Sequence, residues 1–161
     1  MSVAALIFGL ALAGAGPSAA AVPRPLDSME SQAMSHAVGT FEVQMTPVEA
    51  DANAPAGAPG RMRLSKTFHG DLEGEGAGEM LGRLNNGSGA YVAMERVSGV
   101  LNGRRGAFAL VHRGVMEAGS QELLITIVPG SGEGDLAGMA GVFHLKIEGG
   151  VHRYDLEYRL P

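Results

Sequence analysis

No stretch of this chain keeps its apolar residues at helical spacing. They come instead in short runs rich in Val, Ile, Leu, Tyr and Phe, cut by Gly, Asn and Pro. About eight such runs follow the amino-terminal region: "GTFEVQM", "RMRLSKTFHG", "EGEGAGEMLGRL", "AYVAMERVSG", "GAFALVHRG", "ELLITIV", "GVFHLKI" and "VHRYDLEYRL". In the first, Phe41, Val43 and Met45 alternate with Glu42 and Gln44, the period-two pattern of a strand with one buried face. Gly supplies 25 of the 161 residues and falls as punctuation with no fixed period, as turns require. Between the first two runs, "PVEADANAPAGAPG" is too poor in large apolar groups to pack and reads as a loop. Consecutive short strands joined by short turns pair antiparallel. Eight of them, with no helix to cover an open edge, favour closure into a ring. The expected fold is all-β, a single antiparallel eight-stranded barrel.

Two turns fix the register of half of it. In "VLNGRR" the Asn102-Gly103 pair suits a type I′ turn, which needs positive φ at both central residues. Counting outward sets Leu101 opposite Arg104, Val97 opposite Phe108, Glu95 opposite Leu110 and Ala93 opposite His112. One face then carries Tyr91, Ala93, Glu95, Val97, Phe108, Leu110 and His112, and the other carries Val92, Met94, Arg96, Ala107, Ala109, Val111 and Arg113. The Gly149-Gly150 turn pairs Leu145 with Tyr154 and puts Phe143, Leu145, Ile147, His152, Tyr154, Leu156 and Tyr158 on one face. The aromatic-bearing faces are interior. Glu95 therefore points into the barrel, where it needs a hydrogen-bond partner or a raised pKa, while adjacent Arg96 points out. The small outer residues Ala107 and Ala109, flanked by Arg96 and Arg113, suggest a face covered by another subunit.

The stretches "HAVGTFEVQMTP", "GRMRLSKTFHGDLEGEGAGEML", "GAYVAMERVSGVLNGRRGAFALVHRG" and "ITIVPGSGEGDLAGMAGVFHLKI" with "HRYDLEYRL" together resemble, in order, the bacterial domain of unknown function 3224 family over about residues 36 to 160. The resemblance implies a fold similar to the allene oxide cyclase barrel, a small antiparallel eight-stranded barrel with a lumen. It implies no activity and no catalytic residues, and the sharing of that barrel with plant cyclases and bacterial spirotetronate-forming cyclases is a fold-level analogy.

The first 28 residues depart from the family pattern. "VAALIFGLALAGAG" is an apolar run of signal-peptide length, and Ala19-x-Ala21 offers a small-x-small cleavage site. This divides the chain into a signal peptide (1–21), a flexible linker (22–35) and a barrel domain (36–161), and predicts a periplasmic or secreted protein with no membrane attachment after cleavage. Because no Lys or Arg precedes the apolar run, translation from Met29 or Met34 and a cytoplasmic location is the alternative. The net charge of -5, with 12 basic residues scattered, gives no footprint for nucleic acid. With no cysteine, disulfides and thiolate chemistry are excluded.

The sharpest constellation is Glu95, His112 and Tyr91. His112 lies diagonal to Glu95 across the hairpin, and an imidazole beside a carboxylate in an apolar lumen is the arrangement of a general base or of a polar anchor for a ligand. The alternative is that Glu95 and His112 simply satisfy each other in the core. Tyr91, Phe108, Leu110, Tyr154, Tyr158 and His69 are the expected ligand-contacting residues. No His-x-His or His-x-x-x-His spacing exists, so no metal is expected, and no cofactor. "VPGSGEGDLAG" lacks both the dinucleotide fingerprint and a following helix and reads as a turn-rich loop. The function expected is lumenal binding of a small, mostly apolar molecule. The alternatives are a cyclase or isomerase acting on a flexible apolar substrate, with Glu95 and His112 as the catalytic pair, and a structural or homo-oligomeric assembly protein whose barrel is filled solid.

Overall fold

The structure, a computed structural model, describes residues 33–161. The expected signal peptide and all but the last three residues of the expected linker lie outside the described residues. Nine strands follow: β1 (Ser35–Val48), β2 (Gly60–Gly70), β3 (Leu72–Asn85), β4 (Ser88–Leu101), β5 (Arg104–Glu117), β6 (Ser120–Ile127), the two-residue β7 (Glu133–Gly134), β8 (Ala140–Glu148) and β9 (Val151–Arg159). Among the described residues there is no helix.

The Asn102-Gly103 turn has φ of 47° and 81°, and Gly149-Gly150 has 58° and 81°, the type I′ signature that matches the twist of the strands each turn joins. The registers counted from them hold, with Leu101 opposite Arg104, Glu95 opposite Leu110, Ala93 opposite His112, and Leu145 opposite Tyr154. The same geometry recurs at Asn86-Gly87 and Ala118-Gly119, two turns not counted above. All ladders are antiparallel, and the ring runs β1-β2-β3-β4-β5-β6-β8-β9 and back to β1: a closed eight-stranded barrel, as expected. β7 stands outside the ring and pairs with β5 at Gly106 and Ala107.

Antiparallel order sends alternate connections to opposite ends. One end gathers the 49–59 loop and the turns at 86–87, 118–119 and 149–150. The other gathers Asp71, the Asn102-Gly103 turn and the 128–139 segment. This second end is packed. Phe68, Leu72, Leu101, Phe108, Leu110 and Leu156 are buried there, and Leu136 and Met139 of the 128–139 segment join the same core. Phe41, Phe68, Phe143 and Tyr154 form an aromatic cluster with centroids 5.4–6.2 Å apart.

The phenols in this half are tied to backbone and turn. Tyr154 Oη accepts from the Leu72 N–H at 3.0 Å, and Tyr158 Oη accepts from Asn102 Nδ2 at 3.0 Å. Asn102 Nδ2 also donates to the His36 carbonyl at 3.2 Å, so this residue both makes the turn and laces β1 and β9 to it. Asn102→Ala should cost about 2 kcal/mol, from positive φ on a residue with a Cβ plus the lost hydrogen bonds, and Asn102→Gly less. Thermal unfolding of the two variants checks the order.

The small outer residues of β5 are covered within the chain itself. Ala107 is buried beside β7, and the Ala109 N–H donates to Ser131 Oγ at 3.0 Å. Their size therefore does not require a second subunit. The ring is uneven: β4 and β5 are opposed at thirteen positions, whereas β6 meets β8 at one, Thr126 opposite Val142, and the two strands part toward the loop-bearing end.

Candidate functional site

Along β2 the inward positions are Met62, Leu64, Lys66 and Phe68, and the outward ones are Arg61, Arg63, Ser65, Thr67 and His69. A lysine thus enters the lumen between two apolar residues. Glu95 enters from β4, two strands away. Between them β3 presents Gly74, Gly76 and Gly78 to the interior, in register with Phe68, Lys66 and Leu64 on one side and with Gly99, Val97 and Glu95 on the other. With no side chain on β3 to keep them apart, Lys66 Nζ reaches Glu95 Oε2 at 2.7 Å. The carboxylate lies over Gly76, where a Cβ would overlap Glu95 Oε1.

His112 completes the group from β5, its Nε2 3.1 Å from the same Glu95 Oε2. His112 Nε2 makes this close charge contact without a directed hydrogen bond, and on the other side of the carboxylate Glu95 Oε1 is likewise buried without a hydrogen-bond partner. Lys66 and His112 side chains are each 7% exposed and that of Glu95 is 0%. Lys66 Nζ also stands 4.6 Å from the centre of the Phe41 ring, a cation–π contact in a dry setting. Burial acts to raise the Glu95 pKa, but His112 and Lys66 together outweigh it and hold the carboxyl below the usual carboxylate range. Of the two expectations for Glu95, partners or a raised pKa, the first is what the fold supplies.

This cluster lies beside a cavity of about 300 Å³ that opens at the loop-bearing end of the barrel. The walls are apolar: Phe41, Val43, Leu64, Met80, Ala93, Leu123, Ile125 and Leu145, with Met45, Leu84 and Ile147 toward the rim. Lys66 and His112 are the buried polar members of the lining, Tyr91, Gln121 and His152 the others, and His152 stacks on Phe41 with centroids 5.0 Å apart. The barrel is therefore half filled and half cup.

The expected site residues divide accordingly. His112 and Tyr91 line the cup, Tyr91 with its ring laid over Gly114, where a Cβ would overlap it. Glu95 sits behind Lys66 and His112. Phe108, Leu110, Tyr154 and Tyr158 are interior but belong to the packed half and do not line the cavity. His69 is not in the lumen. Following inward Phe68, it must point out, and it lies on the outer surface with Nε2 3.0 Å from Glu42 Oε2. Arg96 is outside as expected, 2.7 Å from Glu133 of β7. Lys66 was missed, although the alternation of Leu64, Lys66 and Phe68 places it inward. Among the described residues no three His, Asp or Glu side chains converge as metal ligands.

A family model described as protein of unknown function (DUF3224) matches residues 37–158. The chain belongs to the DUF3224 family. Among solved structures, a DUF3224-family protein of unknown function from Shewanella oneidensis MR-1 is similar, at 42% identity and a TM-score of 0.74, over 80% of this chain and 99% of that one. No curated protein matches. The DUF3224 match begins two residues into β1 and ends one residue before the end of β9, so it spans the whole ring that carries Lys66, Glu95 and His112.

Proposed function

We propose that this DUF3224 barrel binds one small, mostly apolar molecule in its cup, with a polar end directed to Lys66 and His112. The observation that carries the reading is the pairing of an open apolar cavity with a buried ionic cluster at its inner end. An eight-stranded barrel can fill its interior completely, and this one does so over half its length only. The volume is at the small end of ligand pockets, which run roughly 300–1,000 Å³ and join apolar walls to a few polar groups. A cyclase or isomerase role has one observation in its favour, the buried Glu95 Oε1 with no hydrogen-bond partner beside an imidazole, the elements of a proton relay.

Binding is tested with N-phenyl-1-naphthylamine, whose emission rises in apolar surroundings. Saturation at one probe per chain, displaced by nonan-1-ol, is expected. Leu145→Trp, which fills the cup from β8, should weaken binding by about tenfold or more at unchanged melting temperature. Emission that never saturates, or binding indifferent to Leu145→Trp, would place the probe elsewhere and remove the proposal.

A further inference from the structure

The chain contains two lysines, Lys66 and Lys146. Lys146 is an ordinary surface residue with its side chain 75% exposed, whereas Lys66 is 7% exposed, lines the cup and has its Nζ against Glu95 and over the Phe41 ring. Ten of the twelve basic residues are arginine, so a lysine in the lumen stands out by type as well as by place. Arginine would supply the same charge to Glu95 with better geometry for a carboxylate, but it cannot act as a nucleophile.

We propose that Lys66 captures carbonyl compounds: its amine forms an imine with an apolar aldehyde or ketone held in the cup. This rests on the binding reading above and names the class of molecule. Each part of the cluster has a task. The ammonium first passes a proton to Glu95 Oε2, 2.7 Å away. The freed Nζ lone pair bonds to the carbonyl carbon, the C=O π pair moves to oxygen, and Glu95 returns its proton to that oxygen. The nitrogen then gives a proton to His112 Nε2, which has no hydrogen-bond partner and is 3.1 Å from the same carboxylate oxygen. The imidazolium delivers that proton to the departing hydroxyl as the C–O bond breaks and the nitrogen lone pair closes the C=N bond. The sum is ammonium plus carbonyl giving iminium plus one water, with no oxidant or reductant.

Charge is what selects a carbonyl compound over an acid. The iminium carries the same single positive charge as the ammonium it replaces and stays opposite Glu95, so the buried ion pair present at the start is restored at the end. A carboxylate-headed ligand would instead bring a second negative charge to a site that already holds Glu95.

The test treats the full chain with nonanal and sodium cyanoborohydride at neutral pH, followed by peptide mass mapping. Reductive alkylation is expected at Lys66 in about tenfold or greater excess over Lys146, although Lys146 is far more exposed, and excess nonan-1-ol should suppress it. Lys66→Arg, which retains a cation opposite Glu95 but offers no nucleophilic amine, should lose the label, and Leu145→Trp, which fills the cup, should suppress labelling of Lys66 in the wild-type background. Labelling of Lys146 equal to or above that of Lys66 overturns the proposal. An unlabelled Lys66 in protein that does bind the fluorescent probe overturns the imine and leaves the binding reading standing. Loss of both overturns both.

Discussion

Glu95→Gln is expected to lower the unfolding free energy by about 3 kcal/mol or more, because it leaves the Lys66 ammonium buried with no counter-charge. The size follows from the asymmetry of buried ion pairs: removing one partner uncovers the full desolvation cost of the other, while replacing both with apolar residues of similar volume is often neutral. The double variant Lys66→Met with Glu95→Leu should therefore recover most of the loss, and a double-mutant cycle in chemical denaturation measures it. Acid adds an independent handle. The Glu95 carboxyl titrates below its ordinary value of about 4.5 in the folded barrel. Its contribution to stability is thus fully present above that value and is lost as the pH falls through the lower, folded one. Glu95→Gln should flatten the part of the acid-unfolding curve that lies below about pH 4.5. A variant as stable as wild type with an unchanged acid limb would show that the Lys66–Glu95 contact contributes nothing.

Gly76→Ala should rank next, at about 1–3 kcal/mol, the range for forcing an extra carbon into a packed interior. A Cβ at this position would overlap Glu95 Oε1 and come within 3.1 Å of the Phe68 ring. The neighbour that can move is the carboxylate, and moving it strains the bond to Lys66. The cost should therefore be strongly non-additive with changes at Glu95: in a Glu95→Ala background, Gly76→Ala should be nearly free. Gly74 and Gly78 make the contrast, since a Cβ there would meet the backbone carbonyls of Ser98 and Met94, which no side-chain truncation removes. Equal penalties for Gly76→Ala with and without Glu95 would mean that β3, and not the carboxylate, sets the need for glycine.

The parts of this architecture written in short-range chemistry were legible from the residues. Asn102-Gly103 and Gly149-Gly150 demand one turn type, that turn fixes the register, and the register decides that Glu95 and His112 face inward and Arg96 outward. What is not short-range was harder to read. Lys66 reaches Glu95 across an intervening strand, a contact that no hairpin count can reveal. The sign was the alternation of Gly74, Gly76 and Gly78 in "EGEGAGEML", a strand whose inner face has been emptied so that its neighbours can touch. His69 shows the converse error: an attractive residue type placed in the lumen against the phase set by Phe68 beside it. Nor could residue identity separate the packed half from the cup. Tyr154 and Tyr158 share a face with Ile147 and His152, and only their distance along the strand from the Gly149-Gly150 turn assigns them to different ends.

The seam between β6 and β8 has a mechanical consequence. A ring held by long ladders everywhere would have a bore of one size. Here β6 and β8 are joined by one residue pair near the packed end, Thr126 with Val142, and toward the cup Leu123 and Leu145 line the gap between the strands with no backbone ladder across it. Widening the bore means sliding apolar side chains past one another, not tearing hydrogen bonds, while the opposite end keeps its registers. The wall of the cup is thus weakest along this one meridian, where no ladder resists a change of calibre.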